Sequence, residues 1–214
     1  MATLLLARSG ETTWYREGRV QGWAPVSLSD DGRRQADALA RHVERAYGVD
    51  RIVTSDIERA RETAQFVADA VGVEPAFDPA WRDRDAGSLQ GLDARGVFAK
   101  YPQYALRDVG VPATRERPPS GESLVEARRR VVTAFDGLVG SLDDDETVVV
   151  VTHGTPIRLV LGVVKELDTV DAILAQELDH GCLCELDVAV ATDDVGDEPT
   201  VTVVAENLSQ FDAA

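Results

Sequence analysis

The chain has 214 residues, enough for one α/β domain with a sizeable core and at most a small insertion. It carries 22 Lys+Arg against 38 Asp+Glu, a formal net charge of −16. With no basic stripe carrying interleaved aromatics, this argues against a nucleic-acid partner. The first apolar run, Ala2 to Ala7, is too short for a signal peptide or a membrane span, so a cytoplasmic chain with no membrane association is expected. Only Lys100 and Lys165 are lysines; every other basic residue is arginine. A carboxylate-rich surface of this kind suits a salt-adapted cytoplasm, where screening removes most of the self-repulsion. The plainer alternative is an ordinary soluble acidic protein.

Taken in chain order, the elements alternate between strand and helix. Thr3 to Ala7 reads as a buried strand. Ser29-Asp30-Asp31 opens a helix whose apolar positions Ala36, Leu39, Ala40, Val43 and Tyr47 recur at helical spacing, and Gly48 is expected to end it. Arg51 to Thr54 is a second strand. Ser55 and Glu58 have capping-box spacing for a helix buried through Ala60, Ala64, Val67, Ala68 and Val71 and stopped at Gly72. A strand near Glu74 to Phe77 follows. Between Leu92 and Pro119 the pattern weakens among Tyr101-Pro102, Pro112 and Pro118-Pro119, which predicts a short helical cap with loops. A long helix enters at Gly121-Glu122-Ser123 and repeats Leu124, Ala127, Val131, Phe135, Leu138 and Leu142 along one side. Asp143 to Asp145 form a solvated turn. Val148 to Val151, the most apolar strand, suits the sheet centre and ends at Thr152-His153-Gly154. A helix with Ile157, Val160, Leu161 and Val164 comes next. Two late strands, Cys182 to Val190 and Thr200 to Ala205, flank an acidic hairpin from Thr192 to Glu198, and the last few residues look disordered. The pair Cys182 and Cys184 faces one side of its strand and implies neither a metal framework nor a disulfide.

This alternation predicts an α/β fold: a three-layer α/β/α sandwich with a mostly parallel central sheet and a small helical cap, in a single domain over residues 1–214 with the cap at about 92–119. Ligands of such sheets sit beyond the carboxyl ends of the strands. Three junctions there carry Arg8, Ser9 and Gly10; Ser55 and Arg59; and His153 and Gly154. Arginine forks match phosphate oxygens, and helix N-termini add N–H donors. Each residue alone has an ordinary structural reading. Together they describe an anion pocket sized for a phosphoryl group.

These motifs carry a resemblance. Arg8-Ser9-Gly10-Glu11-Thr12-x-Trp14 resembles the Arg-His-Gly-Glu-Thr-x-Trp opening of the histidine phosphatase superfamily, the phosphoglycerate-mutase-like fold. Gly18-Arg19-Val20-Gln21-Gly22 continues it. Ser55 to Ala64 resembles the second arginine motif, Trp81 to Gly91 the proton-donor segment, Pro119 to Ser123 the entry to the long helix, and Thr152-His153-Gly154 the second histidine motif. The resemblance implies a metal-free and cofactor-free mechanism. A histidine attacks phosphorus; a carboxylic acid protonates the leaving alcohol and then activates water; two arginines and a second histidine stabilise charge. Carried over, Arg8, Arg59, His153 and Gly154 bind phosphate, Gln21, Gly22 and Tyr15 contact substrate, and Ser9, Asp83 and His153 occupy the catalytic positions.

Three of these depart from the pattern. Ser9 holds the nucleophile position, Asp83 stands where glutamate is usual, and Tyr15 stands where asparagine is common. A hydroxyl needs a base or metal to become nucleophilic, is shorter than imidazole, and forms an ester that turns over poorly. Several readings follow: an impaired relative that binds a small phosphorylated metabolite or inorganic phosphate; an active phosphatase or phosphoglycerate mutase whose Ser9 was introduced; a serine nucleophile activated by His153; or a protein-interaction module. The short cap resembles the small-phosphatase branch and favours phosphomonoester hydrolysis over mutase chemistry, with Tyr101, Tyr104 and Arg107 as candidates for the entrance. The apolar late strands are compatible with a monomer or a homodimer.

Overall fold

The computed structural model describes residues 1–189, 199–209 and 211. The expected acidic hairpin and the terminal residues 212–214 lie outside the described residues. Among the described residues six strands form one sheet: β1 (Ala2–Arg8), β2 (Arg51–Thr54), β3 (Pro75–Phe77), β4 (Thr147–Thr152), β5 (Leu183–Ala189) and β6 (Thr200–Leu208), in the order β3-β2-β4-β1-β5-β6. The first four in that order are parallel, β5 runs antiparallel to β1, and β6 antiparallel to β5. The helices are α1 (Thr13–Arg16), α2 (Asp30–Ala46), α3 (Glu58–Val71), α4 (Ala94–Lys100), α5 (Leu106–Val109), α6 (Val111–Arg115), α7 (Leu124–Val139), α8 (Gly154–Val164) and α9 (Thr169–Leu174).

The period-two pleat of β1 and β4 divides their apolar side chains between two faces. Leu4, Leu6, Val148 and Val150 pack with Val131 and Phe135 of α7 and Ile157 and Leu161 of α8. Leu5, Ala7, Val149 and Val151 pack with Leu39 and Val43 of α2 and Ala64 and Val67 of α3. The expected three-layer sandwich follows, because strands apolar on both sides need a cover on both sides. Burying each such side chain contributes roughly 1.5–3 kcal/mol. The helix after β1 lies on one face and the helix after β4 on the other, so the adjacent strands β1 and β4 form the switch point where a crevice opens. No helix among the described residues is long and apolar enough to cross a membrane.

Local signals explain most boundaries. Ser29 caps α2 by accepting from the Gly32 amide, and Gly72 ends α3 in the left-handed region at φ 74°. At α7, Ser123 and Glu126 form a reciprocal capping box. Two expectations fail. The spacing of Ser55 and Glu58 predicts a capping box, but α3 is capped at Ile57 with no side-chain bond, because the Ser55 hydroxyl is drawn to His153. Helix α2 stops at an extended Tyr47, one residue before Gly48. The late strands also shift: β5 begins one residue after Cys182, and β6 runs on to Leu208. Segment 92–119 carries the short helices α4, α5 and α6.

Candidate active site

Ser9 leaves β1 at its carboxyl end and is 3% exposed. Its amide donates to the Thr152 carbonyl at 2.9 Å, which ties the first junction to the end of β4. The next residue must be glycine: a Cβ on Gly10 would lie 2.3 Å from the Gly32 carbonyl oxygen, where α2 packs against the turn. The Gly10 amide donates to Thr63 Oγ1, whose hydroxyl donates to the Arg59 carbonyl, so the first and second junctions are joined as well.

Around Ser9 the structure gathers more positive side chains than the sequence suggests. Arg59, 3% exposed, donates to the Gly22 carbonyl at 2.9 Å and to Asp83 Oδ2 at 3.3 Å. Burial pulls its guanidinium below the usual range, and the Asp83 carboxylate pushes back. His153 is buried at the end of β4 and shares a 2.8 Å hydrogen bond with the Ser55 hydroxyl through Nε2. Its Nδ1 is buried with no partner. Burial first, then the charges of Arg59, Arg8 and Arg130, hold this imidazole neutral, well below its ordinary pKa. Gly154 begins α8 beside it. A Cβ there would lie 2.9 Å from Arg158 Nη1 and 3.3 Å from Arg8 Nε, so glycine lets two guanidiniums close on the helix start.

Arg8 donates to the Leu178 carbonyl, and its other terminal nitrogen meets His180 Nε2 at 2.8 Å. The Tyr15 ring packs edge-on against His180 at 4.1 Å, with Arg8 5.8 Å from its centroid. Burial, and then Arg8, Arg59 and Arg158, lower the His180 pKa to about 3.

Asp83 faces this cluster from the loop after β3. Oδ2 accepts from Arg59 and Oδ1 from the Arg84 amide. The loop is held by three groups that the motifs do not reveal. Arg130 of α7 donates to the carbonyls of Ala80, Arg82 and Asp83; Trp23 Nε1 donates to the Asp83 carbonyl at 2.7 Å; and Arg82 forks onto Asp56 while stacking 4.5 Å from the Trp23 ring. Thr152 adds a 2.6 Å bond to the Trp81 carbonyl, linking the loop to β4.

Beside Asp83 a cleft of about 200 Å3 is lined by Gly22, Arg84, Leu89, Val97, Phe98 and Tyr104, among others. It adjoins a second hollow of about 480 Å3, reached past Tyr104, that includes Arg107 and Leu124. Tyr104 and Arg107 line this second hollow, while Tyr101 packs toward the Tyr104 ring. Gln21 accepts from the Thr12 hydroxyl at 2.7 Å and is not among the cleft's lining residues.

The comparisons with known proteins bear on this arrangement. The model of the histidine phosphatase superfamily (branch 1) matches residues 4–193. The chain belongs to this superfamily. Phosphoglycerate mutase-like protein 4 of Arabidopsis thaliana is 34% identical over 158 residues, 73% of this chain and 68% of that one. The 2,3-bisphosphoglycerate-dependent phosphoglycerate mutase 2 of Gloeobacter violaceus is 35% identical over 167 residues, 75% and 74% of the two chains. Among solved structures, Bacillus stearothermophilus YhfR superposes with a TM-score of 0.85 at 26% identity over 99% of each chain. A mycobacterial glucosyl-3-phosphoglycerate phosphatase in complex with VO3 superposes with a TM-score of 0.80 at 26% identity, covering 97% of this chain and 99% of that one. At this level the chain is a histidine-phosphatase-like protein with phosphatases and mutases as its neighbours.

The motifs of the superfamily thus account for Arg8, Ser9, Arg59, Asp83, His153 and Gly154, which the structure brings together. They do not reveal Arg158 or His180. Arg158 had a signal, since it lies four residues after Gly154 and so on the same helix face. His180 had none: it sits in irregular chain and reaches Arg8 only because β5 pairs with β1.

Proposed function

We propose that this chain binds phosphomonoesters or inorganic phosphate in the pocket around Ser9, and that turnover by the superfamily's usual phosphohistidine route is strongly reduced because residue 9 is serine. The observation that carries this reading is the imbalance of charge. Arg8, Arg59 and Arg158 converge with two neutral imidazoles, and Asp83 is the carboxylate set against them. Cations deprived of water are costly unless an anion answers them. A phosphoryl group supplies that charge, and one of its oxygens suits the orphaned His153 Nδ1. Ser9 stands at the centre with a hydroxyl and no side-chain base assigned to it. His153 Nε2 is engaged by Ser55, so only its Nδ1 is open to a ligand or a proton.

The adjoining cleft supports monoester hydrolysis as the parent activity. Its walls are mostly apolar and aromatic, and the guanidinium of Arg84, which lines it, is already committed to the carbonyls of Glu122 and Glu116. The names of the curated relatives favour the second reading, an active mutase or phosphatase in which Ser9 is a substitution. Vanadate and phosphate titrations, with activity assays of S9H beside the unchanged chain, decide between them. Binding with little turnover, and a strong gain in S9H, is the expected outcome. Absence of any phosphate or vanadate affinity at high salt removes the reading altogether.

A further inference from the structure

We infer that His180 is a phosphoryl acceptor of this pocket, supplying from the turn just before β5 the imidazole that residue 9 lacks. The inference rests on the reading that the pocket binds phosphomonoesters.

Position comes first. The antiparallel register of β1 and β5 pairs Leu6 with Cys184 and Ala7 with Leu183. Beyond the strands the pairing continues: the Arg8 amide donates to the Cys182 carbonyl at 2.9 Å, and the Gly181 amide to the Ser9 carbonyl at 3.4 Å. Residue 180 is thereby placed beside residue 9. Gly181 makes the turn possible, with φ +71° and Gln35 Cβ 2.8 Å from where its own Cβ would stand.

Orientation comes next. Arginine has donors only, so the 2.8 Å contact from Arg8 makes His180 Nε2 the acceptor and leaves the ring proton on Nδ1. The lone pair therefore points toward the guanidinium that helps to define the anion pocket. The Tyr15 ring, packed edge-on against it with centroids 4.1 Å apart, restrains the imidazole there. His180 is neutral at ordinary pH because burial and three arginines oppose its protonation. The same arginines weaken its nucleophilicity. A bound phosphate answers their charge and draws Arg8 onto its oxygens, which frees the lone pair and restores part of its basicity.

The chemistry then balances. The Nε2 lone pair forms an N–P bond as the P–O bond to the alcohol breaks. The departing oxygen takes the bond's electron pair and a proton from the Asp83 carboxylic acid. Water next attacks phosphorus, its proton passes to the Asp83 carboxylate, and Nε2 recovers its lone pair as inorganic phosphate leaves. No other co-reactant is needed.

The test uses the full chain with p-nitrophenyl phosphate, rapid alkaline quenching and peptide mapping by mass spectrometry, with vanadate titration alongside. The expected product is an acid-labile phosphohistidine at His180, still formed in S9A and absent in both H180Q and H180N. Any p-nitrophenolate release by the unchanged chain should fall at least about tenfold in H180Q. Vanadate binding by H180Q and H180N shows that they fold. An acid-stable phosphoserine at Ser9, a label confined to His153, or turnover that H180Q leaves intact overturns the role of His180. So does the absence of both label and turnover in a chain that binds vanadate, and that outcome leaves the proposed binding function standing. Loss of vanadate binding in the unchanged chain overturns both.

Discussion

Around Ser9 the backbone of two adjacent strands sets the positions of Arg8 and His153, whereas the neighbouring cleft is walled by side chains from α4, an irregular turn and the loop after β3. The first region is buried and cross-tied: Ser9 to Thr152, Gly10 to Thr63, Thr63 to Arg59, Thr152 to Trp81. The second leaves Phe98 46% exposed. Strand ends fixed on both sides by packing hold charged groups that water would otherwise scatter. Short helices hold the apolar walls of the second region. Under the proposed function the first region carries the chemistry and the second the selectivity, and substitutions can test whether the two are separable.

The largest effect is expected from S9H. Restoring an imidazole at residue 9 should raise phosphomonoesterase activity by roughly three orders of magnitude or more. Steady-state assays on p-nitrophenyl phosphate and an ester panel measure this; no gain would place the defect elsewhere in the pocket. In the S9H background, D83N should lower turnover of alkyl phosphates by about 100-fold or more, with a smaller loss on p-nitrophenyl phosphate, whose leaving group needs little protonation. Equal losses on both would deny Asp83 its proton-transfer role.

Removing a floor cation should act on binding. R59A is expected to weaken vanadate or phosphate affinity by roughly 10- to 100-fold in calorimetric titration, because a charge-assisted bond is lost from a buried site. F98A should instead leave vanadate affinity alone and raise KM for esters with apolar alcohols by about threefold to tenfold. If F98A moved vanadate affinity as much as R59A, the two regions would not be independent.

The smallest effect concerns acid. The ordinary imidazole pKa is 6.5, and that of His180 is lowered to about 3 in the folded chain. Between these values the unfolded chain takes up a proton that the native chain refuses. The part of native stability tied to His180 is therefore fully present above pH 6.5 and is lost as pH drops toward 3. Thermal unfolding across this range should show a shallower decline in H180Q than in the unchanged chain; equal slopes would mean that His180 is not held neutral.

Much of the fold was legible in the sequence. Continuous apolar runs at Thr3 to Ala7 and Val148 to Val151, separated by helices with period-3.6 faces, specify a sheet covered on both sides. The site was legible where a motif places a residue directly on a strand end, as for Arg8, Ser9 and His153. It was misread where one residue had two available partners. Ser55 has the spacing of a helix cap, yet its hydroxyl sits between the His153 ring and the Ile57 amide, one residue short of the bond to the Glu58 amide that a capping box requires.

The sequence by itself determined the alternation of strands and helices, the family motifs and the absence of imidazole at residue 9, since these depend on local pattern and residue identity. Only the tertiary structure decided that Arg158 closes on Gly154, that Arg130 and Trp23 hold the Asp83 carbonyl, and that His180 stands beside Ser9. The reason is register. Residues 9 and 180 are remote in the chain, and nothing local to either carries the information that β5 pairs with β1 so as to bring them together.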